Sequence, residues 1–285
     1  MFEPILVVGC GRSGTTLIYQ MLCCHPELGW FSNFTDRWGA TPILATGSRV
    51  FPAARRHGIK SRFLPTPSEA YPFWNDLSRI DDLPLEDPLT EHDVTPTARS
   101  FARTRIESLL RYQWRSRFIN KATRNTRRLR YVDALLDEVR FINVIRDPRA
   151  TVASLLKVPF WAEVTVWSEG HITPREWEAQ GNDPADLAAR LWVADVARCL
   201  EDKESIPADR YFEVHYESLI EDPRRVVSEI AGFAELPMTR PFARALRSFA
   251  VVDENRKFET QLSRDQLGRI RDVAGPLAER LGYML

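Results

Sequence analysis

The sequence predicts an α/β protein, a three-layer sandwich around a central parallel sheet of about five strands, of the P-loop NTPase-like kind. Three observations predict it. Short apolar runs alternate along the chain with longer stretches of helical period, so helical crossovers link the strands and the sheet is parallel. The first run, Ile5-Leu-Val-Val, passes through Gly9-Cys-Gly-Arg12-Ser-Gly14 straight into a helical pattern. That arrangement aims free N–H groups and the positive end of a helix at an anion. Finally, 285 residues with 44% apolar content are enough for one domain with an ordinary buried core.

In chain order, the strand at Ile5 is followed by a helix from about Gly14 to Cys24, which His25-Pro26 ends. Leu28 to Phe31 is a second short strand. Residues 33 to 96 are rich in proline, aromatics and charge with little period, so a lid or acceptor-facing insertion with short helices is expected there. Thr97 to Trp114 is helical with a cap at Thr95 or Thr97, and Arg117 to Lys121 is a strand ending on a cation. Arg127 to Glu138 is helical, and Arg140 to Ile145 is the clearest internal strand. Asp147-Pro148 opens the next helix, with proline at its favoured early position. A second insertion is expected at about 157 to 182. Asp183 to Glu204 is a helix capped by Asn182 or Asp183, Arg210 to His215 a strand, and Asp222-Pro223 starts a helix to about Phe233. The tail is a helix capped at Ser263 and running to Leu281.

Composition narrows the function classes. With 39 basic and 39 acidic residues the net charge is zero, which argues against an extended nucleic-acid surface and leaves any anion site local. No run of 18 apolar residues spans a membrane, and the first strand leaves no room for a signal peptide. Cys10, Cys23, Cys24 and Cys199 lack metal-ligand spacing, and a reducing cytoplasmic compartment is expected. Cys10, inside the loop, is either a reactive thiol or a small residue in a tight turn.

The chemistry is expected where strands end. Gly9-x4-Gly14 has P-loop spacing, but Thr15 stands where a nucleotide triphosphatase has lysine, and the loop's long cation is Arg12. Lys121 and Arg146 follow two other strands, and carboxyl ends of parallel strands share one edge. Ser154, eight residues beyond Arg146, lies about two helical turns on and shares a phosphate with it. Arg146 occupies the place of the Walker B acid that would hold Mg²⁺, which suggests metal-free chemistry.

These pieces resemble the sulfotransferases that use 3′-phosphoadenosine 5′-phosphosulfate (PAPS). Gly11-Arg12-Ser13-Gly14-Thr15-Thr16 is similar to their 5′-phosphosulfate loop, and Val144-Ile-Arg146-Asp-Pro-Arg149 through Ser154 to their 3′-phosphate segment. Val214-His-Tyr216-Glu217-Ser-Leu219 is similar to their Tyr-Glu-x-Leu element, and Phe258 to Tyr283 to their C-terminal signature. The resemblance implies that Gly11, Arg12, Ser13, Gly14, Thr15 and Thr16 bind the 5′ phosphosulfate, with Arg12 on the leaving oxygen. It implies that Arg146 and Ser154 hold the 3′ phosphate, with 3′,5′-adenosine bisphosphate (PAP) as product. Tyr216 borders the adenine or is a core aromatic, and Arg256 and Lys257 close a basic loop over the 3′ phosphate or are surface charge.

The cytosolic members' histidine position, two residues after Lys121, is Thr123 here, so a base must come from elsewhere. Glu69, among the aromatics of Pro67 to Trp74, is the first choice, expected to be desolvated with a raised pKa; its other reading is a helix-start acid. His57, His92 and Asp36 are weaker choices, and His215 is structural. Lys121 and Arg124 face the cofactor, while Arg127, Arg128 and Arg130 belong to a solvated helix face. Trp74, Trp161 and Trp167 either stack on a flat acceptor or support the fold, and Trp30 and Trp192 are core.

The reaction implied is sulfuryl transfer from PAPS to a hydroxyl or amine of a carbohydrate, lipid or small-molecule acceptor, without a metal. A P-loop small-molecule or nucleotide kinase is the alternative, and a regulatory cofactor-binding relic a third. The sequence admits a homodimer and names no acceptor.

Overall fold

The computed structural model describes residues 3–38, 46–56 and 64–285. Five strands form one sheet: β1 Ile5–Val8, β2 Leu28–Gly29, β3 Arg117–Lys121, β4 Arg140–Ile145 and β5 Tyr211–His215. Their order is β2-β3-β1-β4-β5 and every pairing is parallel. Both faces of a parallel sheet are covered, so its strands need apolar side chains on each side. In β1, Ile5 and Val7 join one core and Leu6 and Val8 the other. Helices Thr15–Leu22, Pro223–Phe233 and Arg240–Leu246 pack on the first face, and Tyr71–Ile80, Pro96–Gln113 and Leu129–Leu136 on the second. A third core joins helices Pro148–Leu155, Pro184–Lys203 and Arg264–Arg280 around Trp192, which is fully buried.

The helix starts follow the predicted side chains. Thr95, Asp147, Asp183, Asp222 and Ser263 each accept a hydrogen bond from a first-turn N–H, which settles the two open cap assignments for Thr95 and Asp183. The second strand is shorter than expected, two residues rather than four, because Trp30 leaves the ladder and its N–H goes to Gln113 Oε1 at 3.0 Å.

The basic run is the main departure. The segment Thr123–Arg127 forms a tight helical turn before the helix Leu129–Leu136; Arg127 and Arg128 are buried rather than on a solvated face, and Arg124, expected to face the cofactor, is buried with them. They grip the stretch at 84–91 from beneath. Arg124 pairs with Glu86 and donates to Asn75, Arg127 pairs with Glu86 and Asp195, and Arg128 donates to the Pro84 and Asp87 carbonyls. Arg130 pairs with Glu91 nearer the surface. A charge run looks solvated in sequence because its carboxylate partners are far away along the chain, Glu86 and Glu91 upstream and Asp195 68 residues downstream of Arg127.

Within the expected insertions, 33–96 carries the helices Asn33–Trp38, Phe51–Arg56 and Tyr71–Ile80, and 157–182 carries the short helix Pro174–Ala179. Trp74 and Trp161 are buried, and Trp74 Nε1 donates to Asn120 Oδ1 at 2.9 Å, so these two support the fold rather than offer a stacking face. Trp167 donates to Asp195 at 3.0 Å, while Trp30 is core as expected. Among the described residues no helix is long and apolar enough to cross a membrane.

Candidate functional site

The loop after β1 is fixed by close backbone approaches. Gly9 has φ +144°, and a Cβ there would stand 2.4 Å from the Val144 carbonyl oxygen, so the loop turns directly across the end of β4. The Thr126 hydroxyl clamps the turn, accepting from Gly9 N–H at 2.8 Å and donating to the Gly9 carbonyl at 2.9 Å. Gly14 has φ +92°, and a Cβ there would meet the Tyr216 ring at 2.2 Å. The helix then begins at Thr15 with no side-chain cap, leaving its first N–H groups for an anion.

The loop's side chains divide by burial. The Ser13 hydroxyl is buried and donates to the Cys10 carbonyl at 2.7 Å, and Thr15 is buried too. The Ser13 N–H also donates to the Cys10 carbonyl, at 3.2 Å, so Ser13 shapes the loop, and the N–H groups offered to an anion are those of Gly11, Gly14 and Thr15. Thr16 and Arg12 are exposed. Cys10 is buried against Asp195, and burial together with that carboxylate pushes its thiol pKa up, so the reactive-thiol reading gives way to a packing role.

Beside the loop lies a cavity of about 380 Å³, in the range of small-ligand sites. It brings together Arg12, Arg146, Ser154 and Lys257, four of the residues singled out from sequence. Arg12 Nε donates to Ser154 Oγ at 3.0 Å. Arg146 donates from Nη1 to the Arg12 carbonyl at 3.0 Å and from Nε to Asn255 Oδ1 at 2.8 Å. Burial pushes the Arg146 pKa down, Arg12 adding to this and Tyr216 and Glu217 opposing it. A cation thus stripped of water attracts an anion more strongly than an exposed one. Tyr216 is buried, lies under the Arg146 guanidinium at 4.5 Å and packs on Gly14, so it is the shelf that carries this cation.

Two further findings amend the sequence reading. Lys157 lines the same cavity and was not singled out; its signal was its place three residues beyond Ser154. Arg256 and Lys257 part company. Lys257 lines the cavity and pairs with Glu254 at 2.5 Å, whereas Arg256 is exposed, pairs with Glu259 and does not line it. The walls of Ala150, Ala153, Val158 and Phe258 are apolar, which suits a flat ring beside the charged groups.

Lys121, at the end of β3 and level with Val7 of β1, is buried and pairs with Glu69 Oε1 at 2.5 Å. The Tyr71 hydroxyl donates to Glu69 Oε2 at 2.8 Å. Glu69 is half-buried and held between the Lys121 ammonium and the Tyr71 phenol, while Phe73 and Trp74 of the same stretch turn into the core. It also stands two residues before the helix Tyr71–Ile80, which has no acid in its first turn. Arg124 lies over the Tyr71 ring at 4.7 Å. Asp36 is a second carboxylate in this area, its pKa raised to about 6 by burial, with a Ser68 hydrogen bond opposing. His92 is exposed beside Glu91, His215 meets the Tyr283 hydroxyl at 3.0 Å, and His57 lies outside the described residues. Among the described residues no cluster of His, Cys, Asp or Glu is placed to hold a metal ion.

Comparison with known proteins adds an independent finding. Residues 4–240 match the model of the sulfotransferase family. The chain is 25% identical over 236 residues to protein-tyrosine sulfotransferase A of Caenorhabditis elegans, covering 82% of this chain and 50% of that one. It therefore spans about half the length of this curated relative. In fold it is similar to sulfotransferase STF9 of Mycobacterium avium, with TM-score 0.63, 18% identity, and coverage of 99% of this chain and 78% of that one. It is similar also to the sulfotransferase domain of the Synechococcus PCC 7002 olefin synthase, with TM-score 0.51, 16% identity and coverage of 99% and 95%.

The Asp36 environment makes a prediction. Its folded-state pKa of about 6 exceeds the ordinary 3.8, so the folded protein holds this proton more tightly than the unfolded chain does. The stability this group contributes is then full below about pH 4 and is lost as pH rises through about 6. Asp36→Asn is expected to be more stable than the parent at pH 8 by about 1–2 kcal/mol, allowing for partial exposure, with no advantage at pH 4. Urea denaturation at the two pH values checks this; a difference independent of pH contradicts it.

Proposed function

The chain belongs to the sulfotransferase family, and from that premise we propose that it transfers a sulfuryl group from PAPS to a hydroxyl or amine of a carbohydrate, lipid or small-molecule acceptor. The observation that carries the donor assignment is the convergence of Arg12, Arg146, Ser154, Lys157 and Lys257 on one cavity beside a glycine loop. With Gln261, six polar groups, four of them cationic, share the lining with one carboxylate, Glu254, which is itself paired with Lys257. That donor set fits a nucleotide phosphorylated at both the 5′ and the 3′ oxygen of its ribose better than one with a single phosphate chain.

When bound, the donor supplies a sulfuryl group on a phosphate leaving group; the chain positions it and answers the charge that develops. The N–H groups of Gly11, Gly14, Thr15 and Thr16 and the Arg12 guanidinium receive the 5′ end, with Ser13 holding the loop's shape through the Cys10 carbonyl and Arg12 neutralising charge on the leaving oxygen. Arg146 and Ser154 take the 3′ phosphate, and Lys257 and Lys157, which line the same cavity, add charge. Lys121 faces the transferred group from the end of β3 and holds Glu69 in place. Glu69 is the base for the acceptor's proton. A kinase reading is disfavoured by Thr15 in the lysine position and by Arg146 where a metal-holding acid is needed.

Calorimetry with PAP and with ATP plus Mg²⁺ tests the donor. The expected result is tight binding of PAP that is indifferent to Mg²⁺; tight, Mg²⁺-dependent binding of ATP alone overturns the reading. Labelled PAPS offered with a panel of phenols, sugars, lipids and amines then identifies an acceptor class. On that acceptor, Glu69→Gln is expected to lower kcat about 100-fold while PAP affinity stays within about threefold. Unchanged kcat removes Glu69 as the base, and a loss found in Asp36→Asn instead transfers the role to Asp36.

A further inference from the structure

Four separated parts of the chain meet at one carboxylate that does not line the cavity. Glu217 lies in the first turn of the helix Tyr216–Glu221, directly after β5. Its Oε1 accepts from the Asp147 backbone N–H and from Asn255 Nδ2, both at 3.1 Å, and its Oε2 accepts from the Tyr283 hydroxyl at 2.9 Å. Asn255 passes the contact on through Oδ1, which accepts from Arg146 Nε at 2.8 Å. The chain of groups thus runs Tyr283, Glu217, Asn255, Arg146, and ends at the Arg12 carbonyl in the loop.

The chemistry gives this chain a direction. A carboxylate only accepts, so it turns the Asn255 amide with its NH₂ towards Glu217 and its oxygen towards Arg146. Burial and the Glu217 charge push the Tyr283 pKa up, which keeps that hydroxyl a donor. A guanidinium has five N–H donors. Arg146, which lines the cavity, spends two on fixed acceptors, Asn255 Oδ1 and the Arg12 carbonyl, and three are left over for a ligand. Asn255 is also the first residue of the turn Asn255–Lys257, which precedes Phe258, and both Lys257 and Phe258 line the cavity.

We propose that Glu217 is a positioning residue: through Asn255 it fixes the direction of the Arg146 guanidinium and seats the 254–258 strap over the cavity. The role of Arg146 towards a 3′ phosphate rests on the proposed function; the seating of the strap does not. Truncating Glu217 frees Asn255 to rotate, removes the fixed acceptor from Arg146 and detaches the strap from β5 and from the chain's tail. The loop after β1 keeps its own clamps at Thr126 and Tyr216 and is left in place.

The test compares Glu217→Ala, Glu217→Gln and Asn255→Ala with the parent. Hydrogen exchange over residues 252–262 of the ligand-free protein reads the strap, and calorimetry with PAP and with 5′-AMP reads Arg146. Glu217→Ala is expected to speed exchange there about tenfold and to weaken PAP about tenfold, with 5′-AMP within twofold. Glu217→Gln keeps an acceptor oxygen for Asp147 and Asn255 and stays within about threefold of the parent in both readouts. Asn255→Ala, a change in the strap itself, matches Glu217→Ala, and the double variant is no worse than either within twofold. Unchanged exchange, equal losses for PAP and 5′-AMP, additive effects, or a glutamine variant as poor as alanine overturns the proposal. A parent protein that binds no PAP overturns the donor reading instead, and the exchange data still decide the role of Glu217.

Discussion

The contact on which the site depends is the hydrogen bond from Arg146 Nη1 to the Arg12 carbonyl, 3.0 Å long. It joins the end of β4 to the loop that leaves β1, at the point where neighbouring strands of the sheet send their connections apart. Crevices at such points collect ligands because strand ends and helix starts open towards them. Here the loop lies so close over β4 that Gly9 touches the Val144 carbonyl and Gly14 touches Tyr216. Arg146 lies between these approaches, stacked on Tyr216, and lines the cavity. Any residue with a Cβ at either glycine, or a shorter cation at 146, breaks that geometry.

A second set of buried charges supports this edge from below. Asp195 accepts from Arg127 and Trp167 and lies against the Cys10 thiol, so one carboxylate ties the loop, the turn after β3 and the second insertion together. Burial raises its pKa while Arg127 and Trp167 lower it, the balance expected of a charge kept inside only by its partners. Glu86 plays the same part for Arg124 and Arg127 at the other insertion. The insertions are thus bound to the sheet edge by charge as well as by apolar packing.

Much of this was legible in the sequence because its signals are local. The strands Arg117–Lys121 and Arg140–Ile145 follow from short apolar runs, and the helix starts follow from Thr95, Asp147, Asp183, Asp222 and Ser263. Arg12, Arg146 and Ser154 were found because each stands at a fixed distance from a strand end, and parallel strands bring such ends to one edge. What was missed depends on contacts between distant segments. Nothing near Arg127 or Arg128 in sequence announces that residues 84–91 will cover them, so a buried cluster read as a solvated face. Glu69 was chosen for its aromatic neighbours, yet Trp74 turns into the core and the carboxylate meets Lys121, 52 residues away. Glu217 looked like part of a short motif, and its partners Asn255 and Tyr283 lie 38 and 66 residues further on.

The central claim is that Arg146 reads a second phosphate, distinct from the one held by the loop. The most direct measurement is the affinity of Arg146→Ala for PAP and for 5′-AMP, each against the parent protein by calorimetry. The bisphosphate is expected to weaken at least about tenfold more than the monophosphate, the worth of one desolvated charge-assisted contact. Equal losses for the two nucleotides would contradict it.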